Sequence, residues 1–174
     1  HSATSLDWNK NLSITGNVLV GTTSTVTNEK LRVNGAQVVG SGAAGLYTTT
    51  INQSFAASAS KYLRIQLNNN LFGALTITAT GNYSSVNAIG VYQKVYSVGI
   101  NSSNTSIYSA GNTTTLDMGG TSGQFSMGTP SKPNATTYYV PLANLNASYA
   151  IEMSIVVEMR GYILGIASVD IIAA

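Results

Sequence analysis

The sequence YAIEMSIVVEMR, at residues 149–160, alternates apolar and polar side chains with a period of two. Successive side chains of an extended strand point to opposite faces, so this alternation is typical of a strand with one buried and one wet face. It predicts a long strand from Tyr149 to Arg160. After Gly161 the chain is apolar on both faces from Ile163 through Ile166, which indicates a second strand, Tyr162 to Ile172, in a central or subunit-contact position.

Short β-branched runs separated by Gly and Asn recur along the rest of the chain, and no long window has the apolar spacing of an amphipathic helix. The sequence therefore predicts an all-β fold. The other predicted strands are Leu12 to Val20, Lys30 to Val39, Leu46 to Ile51, Lys61 to Leu67, Ala74 to Thr80, Ala88 to Ile100, Ser106 to Tyr108, Gln124 to Met127 and Thr137 to Val140. Strands at this spacing are typical of a β-sandwich, and we expect a jelly-roll-like one.

The composition of the chain changes near residue 51. Before this point the segments are short, punctuated by glycine and too small to enclose a core, whereas later strands are longer and more apolar. We expect a stalk or collar at residues 1–51 and a compact head at residues 52–174. The stretch from Asn101 to Pro141 holds all three prolines and is rich in Asn, Ser, Thr and Gly, so we expect it to be largely loop.

Charge is scarce in this chain. Only 8% of the residues are charged, whereas a typical soluble domain has about 25%. Because 44% are hydrophobic, much of the surface must be closed by association or solvated by Ser, Thr, Asn and Gly. There is no cysteine, so disulfides are excluded, and burial between identical subunits is the expected source of extra stability.

The sequence also argues against nucleic acid and against the membrane interior as partners. The net charge of +2 comes from eight basic residues that form no phosphate-tracking stripe, which argues against nucleic acid. No run of 18 uninterrupted apolar residues is present, so we expect no membrane insertion. The most apolar part, 151–174, is interrupted by charged side chains at Glu152, Glu158, Arg160 and Asp170.

Two segments near the N-terminus read GNVLVGTTS, at residues 16–24, and KLRVNG, at residues 30–35. Their order resembles a repeat of phage tail fibres and tailspikes, of the form GNVGIGTTSP...KLxVNG. The matching positions are Gly16, Asn17, Val18, Val20, Gly21, Thr22, Thr23, Ser24, Lys30, Leu31, Val33, Asn34 and Gly35. Thr25 stands where the family usually has Pro, and the link to Lys30 is longer than usual.

This resemblance implies a virion protein of the extracellular tail fibre or spike. The repeat implies an intertwined homotrimeric stalk, in which each chain supplies strands to a shared prism and the N-terminal end joins other tail proteins. The head that follows is then expected to be the receptor-binding tip, and its expected partner is a host cell-surface glycan or a surface protein.

The aromatic residues favour a glycan as the receptor. Ten Tyr against three Phe and one Trp is a bias towards rings that stack on a sugar and still form a hydrogen bond. For any one Tyr the alternative is ordinary packing in the core, which we favour for Tyr92 and Tyr96. The candidate receptor contacts lie in or beside the predicted loop region and are Tyr108, Asn112, Asp117, Tyr138 and Tyr139.

An enzyme is not expected, because catalytic groups are few. The sole histidine is His1, which we interpret as a remnant at the start of a fragment, so Ser-His-Asp catalysis is excluded. A glycosidase needs two carboxylates about 5 to 10 Å apart. Glu152 and Glu158 share a face of one strand, but six residues separate them by about 20 Å. Asp117 has no second ligand nearby in sequence, so neither a metal nor another cofactor is expected.

Two alternatives to receptor binding stay open at this point. The first is a purely structural fibre or collar protein whose head only packs against its neighbours. The second is a polysaccharide depolymerase whose carboxylate pair is assembled across subunits, for example from Asp117 of one chain and Glu158 of another.

We expect the protein to be a homotrimer in solution, because the low charge and the stalk segments both require apolar faces to be covered by other copies of the chain. Light scattering and native mass spectrometry at micromolar concentration measure this directly. A stable monomer under those conditions would contradict the prediction.

Overall fold

A computed structural model of the chain describes residues 18–20, 31–33, 37–41, 44–83, 86–109 and 112–174. The chain divides into two compact units, His1–Gly35 and Ala36–Ala174. In the first unit, strands β1 (Val18–Val20) and β2 (Leu31–Val33) pair in parallel, with Val18 opposite Leu31. Both strands belong to the repeat-like segments. The other positions of those segments lie outside the described residues.

The second unit contains the remaining strands of the described chain. They are β3 (Gln37–Ser41), β4 (Ala44–Phe55), β5 (Ser60–Leu67), β6 (Leu71–Tyr83), β7 (Val86–Ile100), β8 (Ile107–Ser109), β9 (Asn112–Gly119), β10 (Phe125–Met127), β11 (Ser131–Asn134), β12 (Thr137–Asn144), β13 (Ile151–Tyr162) and β14 (Ile166–Ala173).

These strands form two antiparallel sheets. One has the order β10-β12-β5-β14, with β11 also paired to β12, and the other has the order β3-β4-β13-β6-β7-β8, with β9 also paired to β7. No helix occurs among the described residues. The prediction of an all-β sandwich is confirmed. The predicted trimer concerns more than one chain and stays a prediction.

Strand β13 lies at the centre of the larger sheet. It pairs along its whole length with β4 on one side and β6 on the other, so that Ile155 lies opposite both Ile51 and Ala79. Its odd-numbered residues from Ile151 to Met159 are buried, as the alternation predicted. The predicted strand from Tyr149 to Arg160 therefore matches the observed one to within two residues at each end.

The core lies between the two sheets. The smaller sheet contributes Leu63 and Ile65 from β5 and Val140 and Leu142 from β12, all fully buried against the apolar face of the larger sheet. Apolar burial of this kind contributes about 1.5 to 3 kcal/mol for each large side chain. Strand β13 supplies five of the buried residues, and β6, with which it pairs, supplies five more.

Strand β4 runs without a break through residue 51, where the sequence predicted the end of a stalk. Its residues on both sides of that point pair with β13, and the two compact units divide at Gly35 instead. The composition shift near residue 51 therefore falls inside a strand of the sandwich. The functional division into a stalk and a receptor-binding head stays a prediction.

The stretch from Asn101 to Pro141, predicted to be largely loop, contains regular structure. Strand β9 pairs with β7 from Asn112 to Gly119, and β11 pairs with β12. The prediction is wrong here because the apolar alternation of β9 is short, limited to Leu116 and Met118, and follows a run of Thr. The residues from Thr115 to Gly119 are all exposed along one side of the sheet. The Lys132 ammonium, almost fully buried, donates to the carbonyls of Asn101, Asn104 and Ala135 and ties the neighbouring loops together.

Asn144, at the end of β12, is a buried polar residue with a full set of partners. Its Nδ2 donates to the carbonyls of Phe55, Ala56 and Tyr149, at 3.3, 2.9 and 2.8 Å, while its Oδ1 accepts from the Asn146 amide at 3.0 Å. These bonds join the end of β4 to the connection between β12 and β13. A buried group with such partners costs much more to alter than an exposed one.

Replacing this amide nitrogen by oxygen, in Asn144→Asp, should lower the free energy of unfolding by about 3 kcal/mol at neutral pH, because a buried carboxylate would face three carbonyl oxygens. Urea denaturation measures the change. The matched control is Asn68→Asp, at an exposed position in the turn after β5, which should alter stability by less than about 0.5 kcal/mol. Equal stability of both variants would contradict the structural role of Asn144.

Candidate functional site

Tyr138, predicted as a receptor contact, lies in the core. It is 0% exposed on the inner face of β12, between the two sheets. Burial raises the pKa of its hydroxyl group. The hydroxyl has no hydrogen-bond partner among the described residues. We therefore remove Tyr138 from the candidate receptor contacts, because its ring fills space that a ligand does not reach.

Tyr139, the next residue, points to the opposite face of β12 and is half-buried. Its ring stacks on that of Tyr62 from β5, with 4.8 Å between the ring centroids and 13° between the planes. Beside this pair, Arg64 Nε donates to Asp170 Oδ1 at 2.8 Å. The two rings cover each other, so each offers at most one free face for stacking on a sugar.

The other predicted contacts lie on the larger sheet. Asp117 is exposed on β9, and its Oδ2 accepts from the Gly123 amide at 2.9 Å, which closes the turn between β9 and β10. Tyr108 belongs to β8 and Asn112 begins β9, but their side chains lie outside the described part of the structure. Asp117 and Tyr139 thus belong to different sheets, and Tyr138 is in the core.

A cavity of about 470 Å³ lies on the face of the larger sheet that points away from the core. Strands β4, β13, β6 and β7 each contribute side chains to it. We call it the polar groove, and its main lining residues are Asn52, Ser54, Thr80, Asn82, Ile89, Glu152 and Ser154. The sequence analysis predicted none of these as a site residue.

The register of the strands brings these residues together. Glu152 of β13 lies opposite Ser54 of β4 and Asn82 of β6, and in the next outward-facing row Ser154 lies opposite Asn52 and Thr80. Residues directly opposite each other in an antiparallel sheet have their Cβ atoms about 4.5 to 5.5 Å apart. The pairing of the three strands therefore holds these polar residues in two adjacent rows.

Gly81 lies in the groove lining and allows the sheet to approach the core closely. A Cβ atom at Gly81 would lie 1.9 Å from Met153 Sδ and 2.7 Å from the Glu152 carbonyl oxygen. Both atoms belong to the neighbouring strand β13, so any larger residue at Gly81 would push β6 away from β13. Glycine at this position therefore keeps β6 close to β13 beneath the groove.

Glu152 differs from the other described carboxylates in its surroundings. Glu158 lies 3.6 Å from Arg160, Asp170 is paired with Arg64, and Asp117 accepts from a backbone amide. Glu152 is exposed, and none of the basic side chains that the structure describes is paired with it. Among the side chains that the structure describes, none therefore pairs with the carboxylate of Glu152 in the polar groove.

The groove has the chemistry of a site for a polar ligand. Each Asn amide offers two donors and an acceptor, Ser and Thr hydroxyls do both, and Glu152 accepts only. Ile89, which is 65% exposed, adds an apolar edge. Within the described residues, no group of three or more His, Cys, Asp or Glu could hold a metal ion. The same part of the chain has no helix that is long and apolar enough to cross a membrane.

The position of Tyr138 predicts the effect of removing its hydroxyl group. The variant Tyr138→Phe should be as stable as the original protein or up to about 1 kcal/mol more stable, because a buried hydroxyl without a partner is removed and the ring is kept. Thermal and urea denaturation measure the change. A loss of more than about 1 kcal/mol would contradict the absence of a partner and would show that the hydroxyl is bonded.

Comparisons with known proteins give one structural similarity. No protein-family model matches the chain, and no curated protein matches it. Among solved structures, the chain is similar to a tailspike protein, gp49 of the Acinetobacter baumannii bacteriophage Fri1, which is described as a capsular polysaccharide depolymerase. The two share 13% sequence identity over 82% of this chain, with a TM-score of 0.48. This chain covers 22% of the length of that tailspike.

Proposed function

We propose that this chain is the receptor-binding tip of a phage tail fibre or spike, and that it binds a glycan of the bacterial surface in the polar groove. The virion assignment rests on the two repeat-like segments at residues 16–24 and 30–35. The observation that carries the binding assignment is the groove itself, in which amide, hydroxyl and carboxylate side chains from three strands converge on one cavity beside an apolar residue.

The size and chemistry of the groove favour a saccharide over a protein receptor. Small-molecule sites usually have volumes of about 300 to 1,000 Å³, and this one has about 470 Å³. Sugar hydroxyls both donate and accept, so they match amides such as those of Asn52 and Asn82. A protein receptor would instead require a larger surface with a buried apolar centre.

The carboxylates favour binding without cleavage. Hydrolysis of a glycosidic bond uses two carboxyl groups about 5 to 10 Å apart, and the groove lining includes only Glu152 among the described acidic residues. Glu158 lies six residues further along the same strand, at about 20 Å. It is also close to Arg160 and outside the groove lining.

The proposed trimer would carry the groove in three copies. A groove that is open to solvent and lined mainly by uncharged groups gives modest affinity at a single site, because each hydrogen bond replaces one to water. In a trimer, three equivalent grooves would engage a repeating surface polysaccharide together, and avidity would then exceed the affinity of one site by a large factor.

The groove is tested by removing its two amides in the double variant Asn52→Ala/Asn82→Ala. Both side chains are exposed, so the fold should be kept, while affinity for the host glycan should fall about tenfold or more through the lost hydrogen bonds. The matched control is Asn68→Ala, which removes an exposed amide outside the groove. The measurements are a glycan array and inhibition of phage adsorption by the purified protein.

The outcomes separate the proposal from its alternatives. Folded groove variants that inhibit adsorption as well as the original protein would show that the site lies elsewhere. New reducing ends released from host capsule or O-antigen would show a depolymerase. A protein that neither binds any glycan nor inhibits adsorption would be a structural part of the virion.

A further inference from the structure

We propose that the polar groove selects an amino sugar, and that Glu152 binds the positively charged amino group of this sugar. This inference rests on the proposed function, since it names the class of saccharide that the same groove takes. It is carried by the position of an exposed, unpaired carboxylate between two hydrogen-bonding neighbours.

The surroundings of Glu152 match the hydrogen bonds of an ammonium group. Ser54 and Asn82 lie directly opposite Glu152 on its two neighbouring strands. An ammonium group has three N–H donors and no acceptor. A carboxylate, a hydroxyl oxygen and an amide oxygen from adjacent strands therefore offer one acceptor for each donor, and the carboxylate adds a charge-assisted bond.

The basic side chains that the structure describes all have other partners. Arg64 and Arg160 are paired with acidic side chains, and the ammonium groups of Lys94 and Lys132 donate to backbone carbonyls. Lys61 lies over the ring of Phe55, with its Nζ 5.8 Å from the ring centroid. An ammonium group at Glu152 must therefore come from outside this part of the chain.

The same arrangement disfavours acidic sugars. The groove lining contains no Lys or Arg, so a uronic acid or another acidic sugar would place its carboxylate near Glu152 without a compensating base. The chain as a whole carries a net charge of +2, which by itself would attract anions and repel cations. A preference for a cationic sugar would thus oppose the overall charge and would have to come from the groove.

The test uses the full chain and matched pairs of saccharides. Oligosaccharides of glucosamine and of galactosamine are each compared in their free-amine and N-acetylated forms by isothermal titration calorimetry at low salt. We expect one free-amine form to bind about tenfold more tightly than its N-acetylated counterpart, which lacks the charge. Oligosaccharides of galacturonic acid should bind most weakly.

Two variants assign this preference to one residue. Glu152→Gln keeps the shape of the side chain and removes its charge, and it should bring the affinities for the free-amine and N-acetylated forms to within about twofold of each other. Glu158→Gln is the matched control, because Glu158 lies on the same face of β13 but outside the groove lining and beside Arg160. It should keep the preference.

The results distinguish this inference from the proposed function. Equal or tighter binding of the N-acetylated or acidic sugars by the original protein would overturn the inference, while binding as such would leave the proposed function in place. A preference that survives in Glu152→Gln would also overturn it. Failure to bind any saccharide, together with failure to inhibit phage adsorption, would reject the proposed function itself.

Discussion

The double pairing of β13 is the constraint on which the rest of the structure depends. This strand lies between β4 and β6 over its whole length, and its period of two sends Ile151, Met153 and Ile155 into the core. The same period sends Glu152 and Ser154 outward. A slip of one residue would exchange the two sets, burying a carboxylate and exposing the core. The core and the polar groove therefore share one register.

A site on a sheet face differs physically from a site on loops. The groove residues sit in the middle of paired strands, so their backbones are already ordered before a ligand binds. Binding then costs mainly the ordering of a few side chains, which favours affinity. In a chain with so few charges, affinity depends on this kind of preorganisation more than on strong ionic contacts. The glycine at position 81 adds to it, because it sets the close packing of β6 on Met153 beneath the groove.

The elements that the sequence predicted best are those with the clearest alternation. β13 was predicted almost to its ends, whereas β9 was missed because only Leu116 and Met118 alternate in its Thr-rich sequence. For the two adjacent tyrosines, the necessary signal was present, since Tyr138 shares its parity with Val140 and Leu142 and so faces the core. The groove could not be predicted in the same way, because strand order and register decide which polar positions of β4, β6 and β13 become neighbours.

The described charged side chains differ in whether they have a partner within the described chain. The basic side chains that the structure describes contact backbone carbonyls, acidic side chains or an aromatic ring. Lys132, for example, donates hydrogen bonds to three carbonyls of the loops around it. Each of these contacts offsets the cost of taking a charge out of water. Glu152 has no such partner among the described side chains, and it lies exposed in the open groove. Since the other described charges already have partners, an accessible carboxylate is the residue at which, on the proposed function, a cationic group of a ligand would bind.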